Sequence, residues 1–151
     1  MMIRLYTSLN FFKPEEILLD NEAFFKNNIG ASDISDKGLK AMKLLDGAIL
    51  LDKNTGKIQT PFGICSIYDL STGCKTLLNV IYLIEYNKYP QVKAINCTEC
   101  GWNALEKIFE LLDETNAFGI IIEHDNELYN CSDRDYLVND KEHITSMFDF
   151  N

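Results

Sequence analysis

Apolar and polar positions follow regular periods along most of the chain, and these periods predict alternating strands and helices. Met2–Thr7 alternates apolar and polar residues with the period of two expected for a half-buried strand. Trp102–Asp113 repeats its apolar residues every three or four positions, which predicts a helix with one buried face. Ala117–Glu123, with three consecutive isoleucines, has the strongest strand pattern. Further strands are expected at Gln91–Asn96 and Leu128–Cys131, and a short helix at Lys141–Phe148.

Capping and turn residues divide the first half of the chain. Ser32 or Ser35 is placed to cap a helix that runs to about Leu45, and Asp46-Gly47 is placed to end it. The next two apolar stretches are separated by Asn and Gly, which favours a β-hairpin. Its strands are expected at Ala48–Leu51 and Lys57–Thr60. Shorter helical segments are expected at Glu15–Leu19, Asn21–Asn28 and Ser66–Leu70.

The stretch Lys75–Tyr86 is almost continuously apolar, which fits either a buried strand or a buried helix. Periodicity alone leaves these two structures open. The alternation of strands and helices is typical of the α/β or α+β class. We therefore expect a single compact domain over residues 1–151, with a mixed sheet and packed helices.

Charge narrows the range of partners. The chain of 151 residues has a net charge of −9, and no cluster of Lys or Arg marks a phosphate-binding surface. Residues 119–151 carry eight acidic side chains against Arg134 and Lys141 alone. An acidic segment of this kind repels nucleic acid and suits a basic protein partner. We expect that kind of partner and no nucleic acid, and the oligomeric state stays open.

The start of the chain lacks the sustained apolar region of a secretory signal, and the longest apolar run, Leu77–Ile84, is too short to span a membrane. We expect a cytoplasmic protein without membrane contact, whose five cysteines are reduced thiols. Because no hydrolase, metalloprotease or dinucleotide-binding motif occurs, we expect no cofactor and favour a protein without catalytic residues.

Two segments combine small, turn-forming and reactive residues with an adjoining apolar stretch: Ser71–Leu78 and Asn96–Asn103. This combination is typical of a core element that ends at a surface site. If the two segments meet, they form a pocket, and His124 at the end of the strongest strand is placed to join it. The candidate pocket residues are Ser71, Gly73, Lys75, Thr76, Cys100, Gly101, Asn103 and His124.

The first segment differs from the phosphate loop of nucleotide hydrolases, because Cys74 and Asp69 stand where that loop needs glycines. Two interpretations of Gly73-Cys74-Lys75-Thr76 are left. Either backbone amides near Gly73, together with Lys75, bind a small anion, or the segment is a plain turn into a core element.

The second segment places Cys97 and Cys100 at the spacing of a zinc knuckle or a redox dithiol. No second pair of this spacing exists to complete a zinc site, so we expect no metal. The favoured interpretation is that both cysteines pack as small apolar residues while Asn96 or Thr98 caps the following helix. A nucleophilic Cys100 with His124 as its base is a further alternative.

The order Leu-Ser-Thr-Gly-Cys-Lys-Thr-Leu-Leu over Leu70–Leu78 resembles the Leu-Ser-Gly-Gly-Val-Lys-Thr-Leu segment of a bacterial family, domain of unknown function 4869. Cys100-Gly101-Trp102-Asn103 is similar to that family's Cys-Gly-x-Asn, which also lies between a strand and a helix. Ala104 stands where the family often has a second Cys. The resemblance implies the family's fold and a bacterial origin, and it brings no activity with it.

Taken together, these features favour a non-catalytic protein that binds another macromolecule through an acidic surface, in the manner of an inhibitor, immunity protein or antitoxin. The alternative is a small-molecule-binding domain or a cysteine-dependent enzyme. In that case the pocket lies at Gly73–Thr76 and Cys97–Asn103. Contact between these two segments at one concave site favours the alternative.

Overall fold

The computed structural model describes residues 3–6, 12–86, 88–114, 120–122 and 136–139. Within these ranges the chain forms four α-helices and eight short strands. The helices are α1 (Asn21–Asn28), α2 (Asp36–Asp46), α3 (Thr72–Tyr86) and α4 (Trp102–Glu114). The strands are β1 (Ile3–Tyr6), β2 (Ile17–Leu18), β3 (Leu50–Leu51), β4 (Lys57–Thr60), β5 (Gly63–Ser66), β6 (Ala94–Asn96), β7 (Ile120–Ile122) and β8 (Tyr136–Asn139).

The strands lie in two sheets. A five-stranded sheet has the order β2-β6-β7-β1-β8, and its strand pairs are all parallel. A three-stranded sheet has the order β3-β4-β5, and both of its pairs are antiparallel. The predicted α/β or α+β class, with packed helices, is confirmed. Where one mixed sheet was expected, the parallel and the antiparallel pairs lie in two separate sheets. The strand expected at Leu128–Cys131 and the helix expected at Lys141–Phe148 lie outside the described residues.

The ambiguous apolar stretch is a helix. It forms most of α3, which contacts α1, α2 and α4. Because the helix has neighbours on several sides, every residue from Cys74 to Tyr82 is buried. A helix surrounded in this way has no solvated face to interrupt the apolar run, so its sequence lacks the usual helical period.

Helix α2 begins and ends where its capping residues predict. The Ser35 hydroxyl oxygen accepts a hydrogen bond from the backbone N–H of Gly38, at 3.4 Å. Gly47 ends the helix in the left-handed conformation, with a φ of 69°. A residue with a side chain is strained in that conformation, which explains why glycine is favoured there.

Strands β2 and β5 do not follow from the sequence pattern. The helical segment expected at Glu15–Leu19 is a single 3-10 turn, Pro14–Glu16, followed directly by β2. Strand β5 lies directly after Pro61-Phe62 and pairs with β4, so these residues form a hairpin turn. Among the described residues, no helix is both long and apolar enough to cross a lipid bilayer.

Candidate functional site

The two segments that the sequence singles out meet at the N-terminal ends of α3 and α4. A β-carbon built on Gly73 would lie 2.7 Å from the Cβ of Ala104, and 3.9 Å from the backbone nitrogen of Gly101. Real β-carbons do not approach this closely, so the contact requires glycine at position 73. The two segments, whose contact the sequence left open, therefore meet in the structure.

A polar cleft of about 350 Å³ lies beside this contact. It opens at the carboxyl ends of the parallel strands β2 and β6, the edge at which open α/β sheets gather their ligand sites. Both segments contribute to it, as does the start of α1. The lining residues are Leu19, Asp20, Asn21, Thr72, Thr76, Asn96, Thr98, Glu99 and Cys100.

Three asparagines join the elements around the cleft. The Asn79 side-chain amide donates to the Asn21 carbonyl at 3.0 Å and to its Oδ1 at 3.2 Å. Asn21 in turn donates from Nδ2 to the backbone carbonyl of Asn96 at 2.7 Å. Asn96 donates to the Leu19 carbonyl at 3.4 Å. These bonds connect α3, the start of α1 and the end of β6, and they fix the positions of three lining residues, Leu19, Asn21 and Asn96.

A polar stripe runs along α3 next to this network. Thr72, Thr76 and Asn79 share one face of the helix, at one-turn intervals. The Thr76 and Asn79 side chains are completely buried, and the Thr76 hydroxyl donates to the Thr72 carbonyl at 2.8 Å. The Asn79 Oδ1 is buried without a hydrogen-bond partner among the described residues. Buried polar groups without a partner are uncommon, since each costs free energy of folding.

The cleft carries negative charge. Its charged lining residues are Asp20 and Glu99, and no Lys or Arg lines it in the described part of the chain. One oxygen of Asp20 caps α1 by accepting from the backbone N–H of Ala23 at 3.0 Å. The two carboxylates therefore give the cleft a negative charge that no described lining residue balances.

The N-terminus of α3 is occupied by carboxylates of this same chain. Asp46 accepts from the backbone N–H and from the hydroxyl of Ser71, both at 2.6 Å. The Ser71 oxygen accepts from the Cys74 backbone N–H at 3.3 Å and so caps the helix. Glu22 accepts from the Thr72 hydroxyl at 3.2 Å. These groups take the place that a bound anion would use at a helix N-terminus.

Lys75 does not line the cleft. Its ammonium forms an ion pair with Glu22 and donates to the Tyr68 carbonyl at 3.0 Å, and its side chain is 8% exposed. Because both partners belong to the chain itself, the structure assigns Lys75 to the packing of α3 against α1. Of the two interpretations left open for this segment, the geometry favours the plain turn into a core element over a small-anion site at Gly73 and Lys75.

The other candidate residues divide between the cleft and its surroundings. Thr76 and Cys100 line it. Gly101 lies at the N-cap of α4, where its carbonyl accepts from the Leu105 N–H at 3.1 Å, and Asn103 is exposed in the first turn. Asn96 or Thr98 was expected at that cap. Instead, Asn96 Oδ1 accepts from the Thr98 N–H at 3.1 Å, within the turn before the helix.

The cysteines occupy different environments. Cys74 is fully buried, and burial raises the pKa of its thiol far above the usual range, with the nearby Asp46 carboxylate adding to the effect. Cys97 is also fully buried, and its carbonyl accepts from the Cys100 N–H at 3.1 Å to close a turn. The described residues hold no group of three or more His, Cys, Asp or Glu that suits a metal ion. His124 lies outside the described residues, so its pairing with Cys100 stays a prediction.

Sequence reasoning missed the asparagine network. Asn79 carries the available signal, because it interrupts an apolar run where a polar residue needs a buried partner. Its partner Asn21 lies 58 positions away, and Asn21 pairs with a residue 75 positions further on. Contacts at such separations do not follow from local spacing.

The geometry defines an α/β protein with a polar, acidic cleft at the carboxyl edge of a parallel sheet. No protein-family model, curated protein or solved structure matches the chain. The resemblance to domain of unknown function 4869 therefore stays a prediction.

Proposed function

We propose that this protein is a non-catalytic binding protein and that its polar cleft receives a cationic, hydrogen-bond-donating group of a basic protein partner. The observation that carries this proposal is the charge of the cleft lining. Asp20 and Glu99 are the charged groups there, and no Lys or Arg accompanies them among the described residues. An ammonium or guanidinium group supplies the missing positive charge together with N–H donors for the two carboxylates.

Three reactive side chains at the start of α3 are engaged or buried within the chain, which supports a non-catalytic role for this segment. Ser71 donates its hydroxyl to Asp46, and Lys75 is held by Glu22. Cys74 is buried with a raised thiol pKa, which suppresses the thiolate that a cysteine nucleophile needs. Each of these residues serves the packing of α3.

Like the charge of the cleft, the net charge of the chain favours a basic partner. At −9, the protein attracts cationic surfaces over long range and repels nucleic acid. Inhibitors, immunity proteins and antitoxins are binding proteins of this kind, and we propose that the chain acts in that manner.

The proposal is tested by capture of partners on the immobilised protein, with elution by a salt gradient and identification by mass spectrometry. We expect a stoichiometric basic protein whose affinity for the immobilised chain falls steeply with salt. The substitutions Asp20→Asn and Glu99→Gln together should weaken its binding about tenfold or more. Glu15→Gln is the matched control, because it removes one carboxylate from an exposed position outside the cleft.

Small amines separate a protein partner from a small-molecule ligand. The concave shape of the cleft also suits a free amine, so thermal stability is measured with spermidine and with arginine. One possible result is that an amine raises the melting temperature through Asp20 and Glu99 while no protein is captured. In that case the ligand of the cleft is a small molecule and not a protein. Capture that is unchanged by the double substitution contradicts the assignment of the cleft.

A further inference from the structure

A second concave surface lies between α2 and α4, apart from the polar cleft. It has a volume of about 280 Å³. Its floor is apolar and comes from three helices, with Leu77 and Ile81 of α3 between Ala41 of α2 and Leu111 of α4. We refer to this surface, together with Leu44 and the charged residues at its edge, as the α2–α4 groove.

Positive charge lines the edge of the groove. Lys37 and Lys40 of α2 and Lys107 of α4 contribute to it. Lys107 pairs with Glu110 at 3.2 Å, whereas Lys37 and Lys40 form no ion pair with any described residue. In a chain with a net charge of −9, this local excess of ammonium groups is opposite in sign to the whole molecule.

The exposed face of α2 also carries a large apolar side chain next to these lysines. Leu44 is 63% exposed and follows Lys37 and Lys40 by seven and four positions, so the three share one helical face. On the other side of Lys40, a further depression leads to Ile49 and Leu50, which are 60% and 64% exposed. Exposed apolar side chains grouped in this way mark interaction surfaces.

We propose that the α2–α4 groove binds an amphipathic, acidic helix of a partner protein. The apolar floor receives the leucine-type anchors of such a helix, and the lysines pair with carboxylates on its flanks. Charge complementarity selects the sign of the partner, since the lysines at the groove edge have unused donors. The site is independent of the polar cleft, which is acidic and selects cations.

Two other anionic partners fit less well. A nucleic acid would pair with the lysines but would leave the apolar floor without a function. An anionic membrane is flat, whereas the groove is concave, so a lipid surface would leave the apolar floor uncovered. A helix satisfies both the shape and the charge.

The test uses a synthetic, fluorescein-labelled peptide of about 15 residues, or four helical turns, with leucines on one face and glutamates on its flanks. Its analogue carries lysine in place of every glutamate. Fluorescence anisotropy should show saturable binding of the acidic peptide only. Lys40→Glu and Leu44→Gln should each weaken that binding about tenfold, because one reverses a charge and the other removes an anchor.

Lys53→Glu is the matched control for charge, because Lys53 is exposed in the turn between β3 and β4, away from the groove lining. It should leave the affinity for the acidic peptide within about twofold of the unaltered protein. Circular dichroism confirms that the variants are folded. Equal binding of both peptides, an affinity unchanged by Lys40→Glu and Leu44→Gln, or binding only to phosphatidylcholine–phosphatidylserine vesicles overturns the proposal.

Discussion

Gly73 and Ala104 hold the N-terminal ends of α3 and α4 in direct contact, with 2.7 Å between a β-carbon built on Gly73 and the Cβ of Ala104. Ala104 is buried, so neither helix end can move away into solvent without opening the core. The small size of both residues is thus what brings the two segments, and with them the polar cleft, together.

Gly73→Ala should lower the free energy of unfolding by about 1–3 kcal/mol, because the added methyl group overpacks the contact with Ala104. Urea denaturation measures the loss. Gly101→Ala is the control, since a β-carbon at Gly101 meets nothing within 4 Å. We expect that variant to lose about 0.5–1 kcal/mol, because alanine is a poorer N-cap residue than glycine, and therefore less than Gly73→Ala.

The double substitution Gly73→Ala with Ala104→Gly separates this steric effect from helix propensity. Ala104→Gly alone should cost about 1 kcal/mol, because glycine is a poor helix former. Combined with Gly73→Ala, it removes the clashing β-carbon, so the double variant should be more stable than the sum of the two losses predicts. Additive losses would show that the two residues do not press on each other.

Asp46 and Ser71 provide a second connection, between the end of α2 and the start of α3. Asp46→Ala should cost about 1–2 kcal/mol of unfolding free energy, because two hydrogen bonds to a charged acceptor are lost. Ser71→Ala should cost about 1 kcal/mol through the loss of the helix cap. Ser32→Ala, at an exposed serine, is the matched control. If Asp46→Ala and Ser32→Ala give equal midpoints in urea, the connection has no energetic role.

Local signals were sufficient for the elements whose boundaries depend on neighbouring residues. Ser35 and Gly47 enclose α2 because a cap and a left-handed glycine act within one helical turn. The periodicity of α4 likewise reflects one buried face. The contact between the two segments was left open by the sequence, because it depends on how α3 packs against α4.

Local sequence signals were insufficient where tertiary packing determines the secondary structure or the position of a side chain. The same apolar run fits a strand or a helix, and the neighbours α1, α2 and α4 determine that it is α3. Strand β2 has two residues, too few for any period to be recognised. Lys75 was expected in the pocket, but its partner Glu22 lies 53 positions away and turns it toward α1.

The ion pair of Lys75 and Glu22 should respond unequally to substitution of its two members. Glu22→Ala leaves a Lys75 ammonium that is 8% exposed with only the Tyr68 carbonyl as its described acceptor. Since the Glu22 side chain is 52% exposed and partly screened by solvent, we expect a loss of about 2 kcal/mol.

Lys75→Met should cost less, about 1 kcal/mol or below, because methionine keeps the apolar stem and Glu22 returns to water. Thermal or urea unfolding of the two variants side by side measures the difference. We expect the unpaired Lys75 ammonium to lower the stability more than the unpaired Glu22 carboxylate does. A Lys75→Met variant that is less stable than Glu22→Ala would contradict this expectation.

The buried thiol of Cys74 should make the protein less stable at alkaline pH. Its pKa in the folded protein is raised by burial, whereas in the unfolded chain it ionises near 9.0. Above that pH the unfolded state releases a proton that the folded state keeps, so stability falls as pH rises. The loss approaches about 1.4 kcal/mol per pH unit for one proton. Below about pH 8 the unfolded thiol is also protonated, and this dependence vanishes.

Cys74→Ala removes the thiol and therefore this part of the pH dependence. Urea denaturation of both proteins between about pH 7 and pH 10 gives their free energies of unfolding as a function of pH. The difference between the two proteins should be constant in the neutral range and should shrink or change sign at alkaline pH. Iodoacetamide should modify Cys74 in denaturant and not in the native protein, because the thiolate is required for alkylation. Parallel stability curves across the whole range, or rapid alkylation of native Cys74, would show that the thiol is not held protonated in the core.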